Sequence, residues 1–500
     1  MVPHSRKTMF SRLAPRAALA ALLLTAACTT VGRDYERPEL GVPANWSSSA
    51  EGSQSAQADA PALFAVEGES DARWWERLDE PALSALVQRA FESNRDLRAA
   101  VARLQQARAL RTVAAGERLP SVDARGSYEH RRESENTPFG AFIPRTDIHS
   151  IGFDASWEPD FWGRVSRSVE SATRDLEASE ADVHTVAVAL AAEVARTYVE
   201  LASAQRRLEI ALSNVELQER TLQLVRSRVD AGLVGPRDVA QASANVESTR
   251  SRVPALQSSA RAASHRLAVL LGLAPGELGR ELSTLRNVPR APATLVVGVP
   301  ADLLRRRPDV VAAEHRYAAE VARIGVAEGD LYPRFALSGT LGLSSDGSEH
   351  LFDGDSRVLG IGPSLRWNLF DGGRLRGRVR AQEASALAAQ NQWEQTVLLA
   401  LEEAENAMTS FVREQERRAS LERAAEHARH AVELAQTQYR EGLTDFQAVL
   451  DSLRIVAGLE DELAVSDAAI TTHFIALYKA LGGGFDASGV PVVAAADSRD

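Results

Sequence analysis

The 500-residue chain carries ten histidines and a single cysteine, and their spacing decides what chemistry is open to it. His130, His149, His184, His265 and His315 are scattered, with no metal-ligand spacing and no base–nucleophile arrangement, so neither catalysis nor a metal or other cofactor is expected. Cys28 is placed differently. It has no second cysteine to pair with in the chain, and it follows Leu24-Thr25-Ala26-Ala27 at the end of a short apolar run. Arg6, Lys7, Arg12 and Arg16 precede that run, which is the layout of an export signal. Small side chains at Ala26 and Ala27 give a peptidase access to the backbone, and the thiol of Cys28 is positioned to carry a covalent lipid.

The run resembles a bacterial lipobox, with Thr25 where Leu is the usual choice. Residues 1–27 then form a cleaved lipoprotein signal peptide, with Met1 or Met9 as the start. Thr29 follows the cysteine, so the Asp that holds lipoproteins in the inner membrane is absent. Beyond this segment no run of 18 apolar residues occurs, which argues against a spanning helix. The formal net charge of −11 argues against nucleic acid as a partner.

The elements that follow come in two copies. Trp157…Gly163-Arg164 recurs as Trp367…Gly373-Arg374, Gly232-Leu233 as Gly442-Leu443, and Leu271-Gly272 as Leu481-Gly482, each 210 residues on. Asp96, Gly116 and Pro120 recur 213 residues on as Asp309, Gly329 and Pro333. Four matches in register point to a duplicated half-molecule. Each half reads as helix, two strands, very long helix, turn, helix.

In the first half a helix is expected from Arg95 to Arg118, and Arg164–Asp230 lacks both Pro and Gly. Ala187, Val194, Leu201, Leu208, Val215, Leu222 and Val229 repeat every seven residues there, beside a second stripe of Thr197, Ala204, Ala211, Gln218 and Val225. This is coiled-coil periodicity. In Arg374–Arg440 the apolar side is read as Leu387, Val397, Leu401, Ala404, Met408, Phe411, Leu421 and Val432. Gly232 and Gly442 are placed to end these helices in the left-handed conformation, and Pro236 to start the next one. Thr444 with Gln447 reads as a capping box.

Four segments alternate with period two: 122–129, 151–158, 335–343 and 359–368. Aromatics lie at one end, the pattern of outer-membrane strands, although Pro363 fits only an edge, a bulge or a distorted position. In lipid such strands must close, because unpaired backbone groups cost several kcal/mol each. Four strands cannot close a barrel, and a dimer's eight would leave an interior filled by side chains. A trimer gives twelve.

These features together resemble the outer-membrane factor family of tripartite efflux and type I secretion systems, in its lipoprotein efflux branch. The resemblance is carried by Cys28 with Tyr35-Glu36-Arg37-Pro38, by Asp302 to Asp309, by Leu331-Tyr332-Pro333-Arg334, by Trp367 to Arg374 and by Tyr439 to Leu443. It implies a membrane α+β fold: a trimeric twelve-stranded transmembrane β-barrel, continued by a long antiparallel α-helical coiled-coil periplasmic tunnel. An equatorial collar would come from residues 28–93, the connection 274–301 and the tail 484–500, which is read as disordered. The two repeats would span 94–273, with one helix over 236–272, and 302–483, with helices at 374–440 and 445–481.

The resemblance also implies the partners: a homotrimer in the outer membrane, a periplasmic adaptor and an inner-membrane RND-type transporter. It assigns Gly232, Leu233, Gly442 and Leu443 to adaptor contact, and Trp157, Phe161, Trp162, Trp367 and Phe370 to the membrane interface. A closed periplasmic gate would use Asp238 and Tyr439 as links between protomers and Asp451 as a ring of lumenal carboxylates. Three such carboxylates within about 4 Å would repel by roughly 1–4 kcal/mol per pair. Thr444 and Ala448 replace charged residues of a familiar member, which leaves Arg237 or Arg440 to supply the links. The expected function is passive, gated export of small toxic solutes. A type I protein-secretion channel and a non-pore structural coiled-coil lipoprotein are the alternatives.

Overall fold

The structure, a computed structural model, describes residues 30–47, 64–65, 73–134, 136–138, 142, 145–279, 282, 288–292, 295–297, 299–301 and 306–483. The signal segment, Cys28 and the tail 484–500 lie outside the described residues. In chain order the elements are β1 (Phe64–Ala65), α1 (Pro81–Ser93), α2 (Arg95–Gly116), β2 (Ser121–Arg131), β3 (Thr146–Trp157) and α3 (Arg164–Asp230). Then come α4 (Pro236–Arg250), α5 (Arg252–Leu270), β4 (Leu295–Val296), α6 (Pro308–Gly329), β5 (Arg334–Ser345), β6 (Arg357–Arg366), α7 (Arg374–Glu441) and α8 (Phe446–Ala480).

A single helix over 236–272 is not what forms. The helix breaks at Ser251, because Pro254 has no N–H to give back to residue 250 and its ring crowds that carbonyl. One further reading is corrected. Leu387 is 59% exposed, because the buried stripe of α7 runs through Ala386, Trp393, Val397, Ala400, Ala404, Met408 and Phe411, and Leu387 lies one residue, about 100°, off it. The chain divides into two compact units, each drawing on both halves of the repeat. Among the described residues, one unit comprises those up to Glu39 with those of Gln105–Ala178 and Ala313–Trp393; the other comprises those of Leu40–Leu104, Ser179–Ala312 and from Glu394 to Gly483.

The first unit contains a four-stranded antiparallel sheet in the order β2-β3-β5-β6. Its register lines up the apolar residues of all four strands. Val122 faces Ala155, Ala155 faces Gly339 and Gly339 faces Ile361; the next row is Ala124, Phe153, Leu341 and Leu359. Leu359 and Ile361 are 80% and 79% exposed, so this apolar face has no cover within the protomer. On the opposite face Thr340 donates to Asp154 at 2.8 Å, Arg125 approaches Asp154 at 3.5 Å and the hydroxyls of Ser150 and Ser344 pair. Pro363 sits on β6, an edge strand of the sheet. Both long helices start on a carboxylate: Asp160 accepts from the N–H groups of Val165 and Ser166, and Asp371 from Leu375.

The second unit packs helices. The heptad stripe Ala187, Val194, Leu201, Val215 and Leu222 is buried, as are Thr197, Ala204, Ala211, Gln218 and Val225 beside it. A parallel pair of β1 and β4 lies in this unit, and Trp74 stacks on Tyr478 at 5.9 Å.

Equivalent contacts recur at the two offsets seen in the sequence. In the first unit the indole N–H of Trp157 donates to Arg118 O and that of Trp367 to Leu331 O, with donors 210 and acceptors 213 residues apart. In the second, Asn94 Nδ2 donates to Leu270 O and Arg307 Nη1 to Ala480 O, with donors 213 and acceptors 210 apart. A Cβ on Gly272 would strike Ser93 O, and one on Gly482 would strike Arg306 O, so both helix ends require the close approach that glycine allows.

Arg307 is the strongest of these ties. Only 8% exposed, it forks onto Asp309 at 3.0 and 2.6 Å and reaches Glu403 at 2.7 Å. Burial pushes the Asp309 carboxyl up, but the paired guanidinium overrides it and holds the pKa below its ordinary value. Arg307→Gln leaves those carboxylates unpaired, and the expected loss is about 3 kcal/mol, read as a lower thermal-unfolding midpoint. The Asp309 contribution is present above the ordinary carboxylate pKa of about 4 and disappears as pH falls through its depressed value. Asp309→Asn is therefore expected to flatten the loss of stability on the acid side of pH 4.

Candidate functional site

Two sets of residues stand out, one in each unit. In the helical unit both hairpin turns are Schellman motifs. Leu233 N bonds Arg228 O and Gly232 N bonds Val229 O; Leu443 N bonds Gln438 O and Gly442 N bonds Tyr439 O. Gly232 and Gly442 have φ of +73° and +78°, which only glycine adopts without strain. Leu233 and Leu443 are exposed beside them. Helix α4 restarts with Pro236 at its first turn after Gly235.

Thr444 does not cap α8. Asp445 does, its side chain accepting from Ala448 N at 3.2 Å, because a carboxylate satisfies the positive helix start better than a hydroxyl. Gln447, freed from the expected capping box, instead donates to Asp451 at 2.9 Å. Asp451 is exposed, with Arg454 3.9 Å away.

Beneath the turns α3, α4, α7 and α8 share an apolar core that includes Leu222, Val246, Val432, Phe446 and Leu453. Tyr439 belongs to that core at 2% exposure, with its ring 5.7 Å from Phe446. The Arg228 guanidinium lies 4.7 Å above the Tyr439 ring and donates through Nη1 to Tyr439 O and, at 3.1 Å, to Arg440 O. Burial pushes the Tyr439 phenol up; Arg228 opposes that shift and Asp238 adds to it. Among the described residues neither the Tyr439 hydroxyl nor Arg228 Nε has a hydrogen-bond partner. Arg440 turns back along its own helix to Gln436 O and Thr437 Oγ1. The structure thus brings Asp238 close enough to Tyr439 to act on it, while the Arg440 side chain lies along its own helix and Asp451 is held by Gln447. Arg228 is the residue that sequence reasoning missed, since its partners lie more than 200 positions away.

In the sheet unit the candidate interface aromatics gather around the ends of the strands. Trp162 stacks on Tyr332 at 5.0 Å and donates to Pro333 O, while Phe161 meets Phe335 edge to face at 5.2 Å. Trp157 and Trp367 hold their N–H groups on carbonyls and leave ring surface exposed, and Phe370 is exposed as well. An aromatic body with a satisfied polar tip suits a membrane–water boundary. Among the described residues no cluster of His, Cys, Asp or Glu could hold a metal, and no helix is long and apolar enough to cross a membrane.

The family model for outer membrane efflux proteins matches residues 86–273 and 299–483. The chain belongs to the outer membrane efflux protein family. Nodulation protein T of Rhizobium leguminosarum bv. trifolii is 30% identical over 93% of this chain and 96% of its own length. Outer membrane protein OprJ of Pseudomonas aeruginosa is 28% identical, over 94% and 97%. Among solved structures the outer-membrane channel OprN superposes with a TM-score of 0.84 at 39% identity, covering 91% of this chain and 99% of OprN. As an outer membrane efflux protein the chain is a transport protein of the outer membrane and not an enzyme. Proteins of the outer membrane efflux family are homotrimeric channels that work with an adaptor and an RND transporter.

Because the Tyr439 hydroxyl has no partner, Tyr439→Phe is expected to leave the thermal midpoint unchanged or to raise it by the equivalent of up to about 1 kcal/mol. Tyr439→Ala, which empties the core beneath the turns, is expected to cost about 3–5 kcal/mol. Equal losses for both variants would reveal a hydroxyl partner outside the protomer.

Proposed function

We propose that three copies of this chain close their sheets into one twelve-stranded transmembrane barrel, and that the pore passively exports small molecules from the periplasm. The observation that carries this reading is the sheet itself. Two apolar rows run in register across its four strands on one face, that face is uncovered, and β2 and β6 are both edges. In hydrocarbon the apolar face needs no cover, but the edges need partners, and copies of the same chain supply them. The face bearing Asp154, Arg125 and Thr340 then lines water. The aromatics around Trp157, Trp162 and Trp367 mark the membrane boundary, and Cys28 carries a lipid anchor. The duplicated halves each contribute two strands and one hairpin.

Gating is assigned to the hairpin turns. Leu233 and Leu443, exposed next to their glycines, suit docking by an adaptor, and Asp238, Tyr439 and Asp451 take part in closure. Small-molecule cargo is favoured over protein by relatives named for pyoverdine export in Pseudomonas putida, 31% identical, and for antibiotic efflux in the same species, 28% identical.

Purified protein reconstituted into planar bilayers is expected to give discrete conductance steps. Asp451→Ala is expected to lower the preference for cations over anions, because it removes up to three negative charges from the entrance. No steps for either protein would contradict a channel.

A further inference from the structure

The two halves of the chain differ at several positions of the hairpin tip, and two of those differences face each other. At the offset of 210 residues Arg228 corresponds to Gln438, and Tyr439 to Val229. The Schellman turns, the positive-φ glycines and the exposed leucines are matched, whereas Pro236 starts one of the following helices and Asp445 caps the other. The first half therefore supplies a guanidinium and the second half receives it on an aromatic ring and two main-chain carbonyls.

Those carbonyls, of Tyr439 and Arg440, belong to the last turn of α7, where oxygens lack helical partners and the helix dipole is negative. Gly442 N already bonds Tyr439 O, and Arg228 adds a second donor to it. Arg228 Nη2 also lies 3.8 Å from where a Gly442 Cβ would sit, so the guanidinium is laid against the turn itself. The contact is incomplete: Arg228 Nε and the Tyr439 hydroxyl have no hydrogen-bond partner among the described residues. A buried polar contact with orphaned atoms is a weak one, because each orphan opposes the arrangement that buries it. Such a contact is suited both to joining the two hairpins and to yielding to a modest competing force.

We propose that Arg228 is a gate-positioning residue, latching the end of α7 to the end of α3 within one protomer in the resting state and letting go when the tip opens. The inference rests on the reading that these turns are the gate. The latch is intramolecular, so it acts with or without links between protomers, and it exists only because the two halves have diverged at these two positions.

The test is resting conductance in planar bilayers for the lipidated trimer and its Arg228→Gln and Arg228→Lys variants, with thermal midpoints measured on the same samples. Arg228→Gln is expected to raise resting open probability on the order of tenfold, the factor that the loss of one charge-assisted hydrogen bond provides. Arg228→Lys, which keeps the charge but loses the planar stack, is expected to fall between it and the native protein. Arg228→Gln with native resting conductance, whatever its thermal midpoint, would reduce the residue to a helix cap and overturn the latch. A native protein without any conductance steps would instead overturn the channel reading, so the two failures are told apart.

Discussion

A strand placed in hydrocarbon must find a partner for every N–H and C=O, because no water is there to take them. The helices meet this demand within their own backbones. The sheet does not: β3 and β5 are paired on both sides, and β2 and β6 on one side only. Much of the chain's design follows from that shortfall. An apolar face aligned in register across all four strands would be a liability in water, and it becomes useful only where lipid covers it. The edges become useful only where another copy meets them.

Duplication and closure fit together in this chain. Each half brings two strands, a long helix and a hairpin, and the main-chain carbonyls that receive Trp157 and Trp367, or Asn94 and Arg307, recur at the offsets of the repeat. Two of the sites at which the halves diverge bear on the packing. Asn94 ties its helix end with a neutral amide, whereas Arg307 does so with a charge that must be balanced by Asp309 and Glu403. At the tip the same divergence yields a donor, Arg228, in one half and an acceptor site at Tyr439 in the other. A strictly symmetric pair of hairpins would lack that contact.

Much of the fold was legible because its signals are local. Ala187, Val194 and Leu201 announce a coiled-coil seam by spacing alone, and Gly232 and Gly442 end helices in a conformation that other residues avoid. Alternation along 335–343 reveals a strand before any partner is known. What escaped depended on competition or on distance. Asp445 outcompeted Thr444 for the cap of α8, Pro254 broke a helix that composition would have continued, and Leu387 missed the buried stripe by a single position. Arg228 looks like an ordinary helix-surface arginine in the sequence, and Arg307 shows only its near neighbour Asp309 there; the fold brings Tyr439 to the first and Glu403 to the second.

The central claim is that β2 of one copy pairs with β6 of another, and disulfide trapping tests it most directly. A cysteine at Ser127 on β2, combined in turn with one at Gly360, Gly362 or Ser364 on β6, samples the registers open to the polar face. The predicted result is that one combination gives covalent dimers and trimers in the outer membrane, and that these collapse to monomers on reduction. Cross-linking confined to single chains, or absent in every register, would contradict closure by three copies.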